Sequence, residues 1–166
     1  MSYEKKICFL YVTINNGEHH ISMDLNVEKK KLYCYERLTS IDYELGYIDE
    51  NNEYKINKKS KPILVKPRCA HFNTNHDLSM DKGTDPEKIL IKLLNHLKNT
   101  NIIICNNARF TLNSILAESV RYNIQFDLNK FLIIDINKND INDINDIKKV
   151  KDSFFSLYED HEQNKN

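Results

Sequence analysis

The sequence predicts an α/β domain with a mixed sheet, in which antiparallel strands near the N-terminus are joined by parallel strands through helical crossovers. Three observations carry this. Residues 1–70 are mostly β-branched, aromatic and turn-forming, the chain after Gly83 alternates helix, strand, helix, strand, helix, and two short runs are wholly apolar. Those runs, Ile102–Cys105 and residues 131–136, have the character of strands covered on both faces, as in the parallel part of a sheet.

Residues 7–14 read as a strand, and Asn15-Asn16-Gly17 supplies the positive-φ residues of a hairpin turn into a second strand at residues 20–25. Apolar stretches follow at residues 32–35 and 41–48, and a polar turn at residues 49–53 precedes a further strand at residues 63–65. A helix begins where Asp85 caps, Pro86 takes the first helical position and Glu87 suits the positive end of the helix dipole. Its apolar stripe is Ile89, Leu90, Leu93, Leu94 and Leu97, and it stops at Asn99-Thr100-Asn101. Strand Ile102–Cys105 leads to a helix from about residue 109 to 122 with Leu112, Ile115 and Leu116 inward. After the strand at residues 131–136, a last helix near residues 144–158 places Ile147, Val150, Phe154 and Leu157 on one face. Residues 1–160 form one domain in this reading, and residues 161–166 a frayed polar tail.

With 40% hydrophobic and 10% aromatic residues but three Gly and three Pro, the chain of 166 residues has the makings of a core and not of a linker or a collagen-like repeat. Twenty-four basic residues balance twenty-four acidic ones, so any nucleic-acid contact has to come from a local patch. The apolar run at residues 7–12 is far short of the ~20 residues of a membrane span, which argues against a membrane partner. Cys8, Cys34, Cys69 and Cys105 form no C-x-x-C pair and read as reduced thiols, and with no signal-like segment an intracellular location is expected.

Isolated clusters have plain explanations. Cys69, His71 and His76 lack a fourth ligand at the spacing of a closed zinc site, and neutral loop residues account for them. His19-His20 reads as an exposed pair, and Cys105 as a small core residue. Lys29-Lys30-Lys31 and the group Lys58, Lys59, Lys61, Lys66 and Arg68 are the best basic patches for phosphate, although a solvated surface explains either alone. The Asn- and Asp-rich stretch at residues 137–146 reads as low-complexity drift.

Over roughly residues 41–160 the chain resembles the proofreading-type 3′–5′ exonucleases of the DEDD superfamily, which have a ribonuclease H-like fold. Tyr43-Glu44-Leu45-Gly46 resembles the family's second strand, Leu64-Val65-Lys66-Pro67 its third, and Pro86–Leu97 the helix before its second motif. The most specific match runs from Ile102 through Asn123. It resembles a strand, a His-Asn-x-x-Phe-Asp turn met here by Asn107 and Phe110, and a helix ending near an Arg-Tyr-Gly. Leu132-Ile133-Ile134-Asp135 is similar to the next strand, and Asp146 to the final motif.

The family's chemistry needs four carboxylates around two divalent ions that clamp the attacking hydroxide and the leaving oxygen. Against that pattern the second-motif Asp falls on Thr111, a weak substitute as a hard-cation ligand. The first motif, Asp-x-Glu, has two placements. It becomes Val12 and Ile14 if the opening strand is residues 8–14, or Asp24 and Asn26 if it is residues 21–25, and the Glu is lost in both. Ile141 stands where the general base of the histidine branch belongs, and Asn142 where the tyrosine branch has its Tyr. The resemblance therefore implies a pseudoenzyme, a domain associated with nucleic acid (a single strand or 3′ end) or with a protein partner. Asp24 and Asp146 are the remaining metal pair, able at most to hold Mg²⁺ or Mn²⁺ weakly. The competing readings are an active divalent-metal exonuclease that draws ligands from Asp135, Asp140 or Asp143, and a binding scaffold with no nucleic-acid role.

Overall fold

A computed structural model describes residues 5–14, 37–66, 83–136 and 146–163. Strands β1 (Lys5–Ile14), β2 (Leu38–Ile48), β3 (Tyr54–Lys59) and β4 (Ile63–Leu64) precede helix α1 (Pro86–Leu97). Strand β5 (Ile102–Cys105), helix α2 (Ala108–Arg121), a 3₁₀ turn at Leu128–Lys130, strand β6 (Leu132–Asp135) and helix α3 (Ile147–Gln163) follow. The described strands form one mixed sheet in the order β3-β2-β1-β5-β6, with β4 also paired to β2. β2 runs antiparallel to β1, β3 and β4, whereas β5 is parallel to both β1 and β6. The expected parallel neighbours joined by the helix that carries Phe110 are thus β5, α2 and β6.

β1 is central because the sequence makes it apolar on both sides. Cys8, Leu10 and Val12 point to one face, where they pack with Ile89, Leu90, Leu93 and Leu97 of α1 and Leu112 and Ile115 of α2. Ile7 and Phe9 point to the other, where Ile147, Val150 and Phe154 of α3 cover them. β5 divides the same way, with Ile103 and Cys105 toward α1 and α2 and Ile104 toward α3. The period-2 alternation of strand side chains therefore assigns each apolar residue to one of two cores. Phe9 lies at the centre of the α3-side core, with edge or tilted ring contacts to Tyr54, Phe154 and Phe155 at centroid distances of 5.4, 5.7 and 5.9 Å.

Several boundaries differ from the sequence reading. β1 takes β2 as its antiparallel partner, and the expected hairpin strand at residues 20–25 lies outside the described residues. β3 carries no strand pattern in sequence because it is an edge strand: all of its residues but Tyr54 are exposed, so Tyr-Lys-Ile-Asn-Lys-Lys shows no apolar alternation. Leu116 is only half-buried, while Leu112 and Ile115 are fully buried. α3 runs to Gln163, beyond residue 158, where the helix was expected to end, and into the residues expected as a tail. No helix among the described residues is long and apolar enough to cross a membrane.

Gly46 decides how closely β3 approaches. The register shifts between Leu45 and Gly46, and a Cβ at Gly46 would stand 2.4 Å from the Lys55 carbonyl oxygen and 2.5 Å from the Tyr54 ring. The absence of a side chain here lets the Tyr54 ring lie across β2.

Candidate functional site

Two regions hold the residues that bear on chemistry. The first is the end of the sheet where β1, β5 and β6 finish. Asn107, in the left-handed region at φ 49°, caps α2, and its Oδ1 accepts from the Phe110 amide at 3.3 Å. Asn is one of the few residues that adopts that conformation cheaply, which accounts for its place in the turn. Thr111 is 3% exposed and its hydroxyl donates to the Asn106 carbonyl at 3.0 Å. Asp135, at the end of β6, accepts from the Ala108 amide at 2.9 Å and so ties β6 to the start of α2. Asp146 caps α3 by accepting from the Lys149 amide at 2.8 Å.

Burial, and then the charge of Asp146, raise the Tyr11 phenol above its ordinary range. α3, which Asp146 caps, packs on Ile7 and Phe9 of β1, and Asn107 and Thr111 lie where α2 begins, after the C-terminal end of β5. Val12 is a core residue at 5% exposure, and β1, not a strand at residues 21–25, is the central strand of the described sheet. Asp24, Asn26, Ile141 and Asn142 lie outside the described residues, as do Asp140, Asp143, His19, His20, Cys69, His71 and His76. Among the described residues no three His, Cys, Asp or Glu side chains come together as a metal site, so the donors for a two-ion centre do not assemble there. Most polar groups here serve the backbone; the exception is Asn106 Oδ1, which is buried without a hydrogen-bond partner.

Cys105, at the same strand end, is fully buried, and burial followed by the charge of Asp135 pushes its thiol up to about 12. Cys8 beside it is raised by burial and then by Cys105. Both are core thiols with little thiolate at neutral pH, in line with the sequence reading of Cys105.

The second region is a cleft of about 600 Å³ at the opposite edge of the sheet, between the β3–β4 segment and α1. Lys58, Lys59, Lys61, Lys88 and Lys92 line it, Ile63, Leu64 and Ile89 supply apolar wall, and no Asp or Glu is among its lining residues. Lys58 is fixed from behind: its Nζ lies 2.7 Å from His96 Nε2, and His96 Nδ1 lies 2.7 Å from Tyr43 Oη. An ammonium only donates, so Nε2 accepts, the ring proton sits on Nδ1, and Tyr43 Oη is the acceptor there. Burial, then the charges of Lys58 and Lys92, hold His96 below its ordinary pKa and favour this neutral form.

Lys59 also reaches across to Glu44, at 3.6 Å, on the other face of β2. Glu44 is 1% exposed and its second partner is Lys151 of α3 at 3.0 Å. A carboxylate this deep needs both cations, and the pair fastens α3 to the sheet. Glu118 on α2 is the equivalent on the other face, held by Arg37 at 2.5 Å and Arg121 at 2.9 Å.

The sequence reading found Lys58, Lys59 and Lys61 but not the helix that faces them. The signal was present: Lys88, Lys92 and His96 recur every fourth residue and share one face of α1. No family model matches the chain, and no curated protein matches it.

Proposed function

We propose that this chain is a ribonuclease H-like domain of the exonuclease type that engages a nucleic-acid strand by binding and not by two-metal hydrolysis. The observation that carries the proposal is the strand order β3-β2-β1-β5-β6 with β2 antiparallel to β1 and β3, together with the packing of α3, the helix that Asp146 caps, on Ile7 and Phe9 of central strand β1. The mixed sheet with antiparallel N-terminal strands and helical crossovers supports this reading, with β1, β5 and β6 as the candidate motif-bearing strands. The loss of hydrolysis follows from residues, not from fold. Thr111 offers a neutral hydroxyl already engaged by the Asn106 carbonyl, and Val12 offers a methyl pair to a core where a ligand would be needed. Removing several ligands of one constellation at once leaves no pair of ions to stabilise both the attacking and the leaving oxygen.

The test is turnover and binding measured on the same preparation. A labelled single strand incubated with Mg²⁺ or Mn²⁺ should stay intact, while its anisotropy rises with protein and falls with salt. Metal-dependent shortening of the strand that Asp146→Ala abolishes would establish the active exonuclease instead. Failure to bind any strand at low salt would leave the scaffold reading.

A further inference from the structure

In the lysine cleft five lysines line one space, and no Asp or Glu is among its lining residues. Lys61, Lys88 and Lys92 have no hydrogen bond or ion pair to any described residue, whereas Lys59 leans toward Glu44 and Lys58 is braced by His96. Like charges drawn around one cleft repel, and a fold tolerates that cheaply only when water or an anion lies between them. The cleft is not uniformly polar. Leu64 is 42% exposed in its wall, beside Pro62 and Ile63, so the site offers an apolar surface next to a ring of ammonium groups. Its volume is that of a small-molecule site.

We propose that this cleft binds the phosphates of a nucleotide through Lys58, Lys61, Lys88 and Lys92, with the base or sugar against Pro62, Ile63 and Leu64. The nucleotide is either free or a unit of a single strand, and the strand form rests on the function proposed above. Lysine suits the task as a mobile point charge that meets phosphate oxygens in several geometries. The Lys58–His96–Tyr43 chain reduces the freedom that one of these lysines loses on binding, which is how a preorganised group gains affinity. The cleft lies on the α1 side of the sheet, whereas Asp146 caps the helix that covers the other side; Asn107, Phe110 and Thr111 belong to α2 on the α1 side, but none of them lines the cleft.

The test compares three proteins of full length: the wild type, Lys61→Gln with Lys92→Gln in the cleft, and Lys130→Gln with Lys148→Gln on exposed surface elsewhere. The probes are a fluorescent ATP analogue, a labelled oligothymidylate and inorganic pyrophosphate as competitor, at several salt concentrations, after circular dichroism and thermal melting establish that each variant folds. The expected result is a loss of about tenfold or more in the cleft variant alone, with a salt slope lower by about 1.4 for strand binding, roughly 0.7 for each of the two lysines. Pyrophosphate should compete. If the ATP analogue binds in this way and the strand does not, the cleft proposal stands as a free-nucleotide site and the strand-binding function fails. If the strand binds and the cleft variant matches the wild type, the cleft proposal is overturned and the strand-binding function survives. Equal losses in both variants would mean diffuse surface charge and overturn the site. Absence of binding to either probe overturns both proposals.

Discussion

The end of the sheet at β1 and β5 and the cleft beside β3 and β4 differ in how far the fold itself uses their polar groups. At the first, Asn107, Thr111, Asp135 and Asp146 all hold backbone atoms in place. At the second, Lys61, Lys88 and Lys92 hold nothing among the described residues. In the first region the polar groups are engaged by the backbone, whereas in the cleft three lysines have no partner among the described residues. A side chain that closes a turn or caps a helix contributes to stability whatever the protein binds. The comparison predicts that substitutions at the first region cost stability and not binding, and those at the second the reverse.

The largest effect is expected where the two properties meet, at Gly46→Ala. A methyl there must displace the Lys55 carbonyl or the Tyr54 ring, at a cost of about 2–3 kcal/mol of the kind overpacking brings. Because β3 carries Lys58 and Lys59, nucleotide affinity should fall as well. Urea unfolding and anisotropy on one sample would check both, and an unchanged midpoint would refute the close approach of β3.

Asp135→Ala should come next. It removes the acceptor that joins β6 to the start of α2, costing roughly 1–2 kcal/mol, with strand binding unchanged. A fall in affinity without a fall in stability would return Asp135 to the ligand role. Thr111→Val, which conserves shape and deletes the bond to Asn106, should cost about 1 kcal/mol by the same measurement.

A smaller effect is expected from pH. His96 is held below its ordinary value of 6.5, chiefly by burial and then by Lys58 and Lys92. A base with a depressed folded pKa binds fewer protons folded than unfolded, so its contribution to stability is present above the unfolded value and declines as pH falls from about 6.5 toward the folded value. Protonation also removes the acceptor that orients Lys58. Thermal melts of wild type and His96→Gln across pH 5 to 8, roughly the range in which histidine titrates, should converge at the acid end, and parallel curves would exclude this linkage.

The smallest effect concerns Asp146. Asn caps helices about as well as Asp, so Asp146→Asn should hold stability within about 0.5 kcal/mol of wild type. If Asp146 is one of a weak metal pair, the substitution removes any rise in melting temperature that Mn²⁺ gives the wild type. A Mn²⁺ response that survives in Asp146→Asn places the ion elsewhere.

The sequence by itself determined the elements whose physics is local. α1 was legible from cap to end because Asp85, Pro86 and the Ile89 to Leu97 stripe each act within a few residues of themselves. β5 and β6 were legible as neighbours because a helix lies between them and their apolar runs require cover on both faces. Asn107 and Phe110 entered only through the resemblance to a turn, and the structure gives them a bond that spans three residues. What only the tertiary structure decided depended on which strands pair. β3 is too polar to declare itself, and it becomes a strand because β2 offers it an edge and Gly46 lets it come close. The carboxylate of Glu44 meets Lys151 across 107 residues of chain, a separation over which no sequence pattern carries information. The cleft arises the same way. Lys58 and Lys61 on one segment and Lys88 and Lys92 on another are ordinary surface lysines until β2 brings the two segments face to face, and electrostatic potential depends on distance in space, not along the chain.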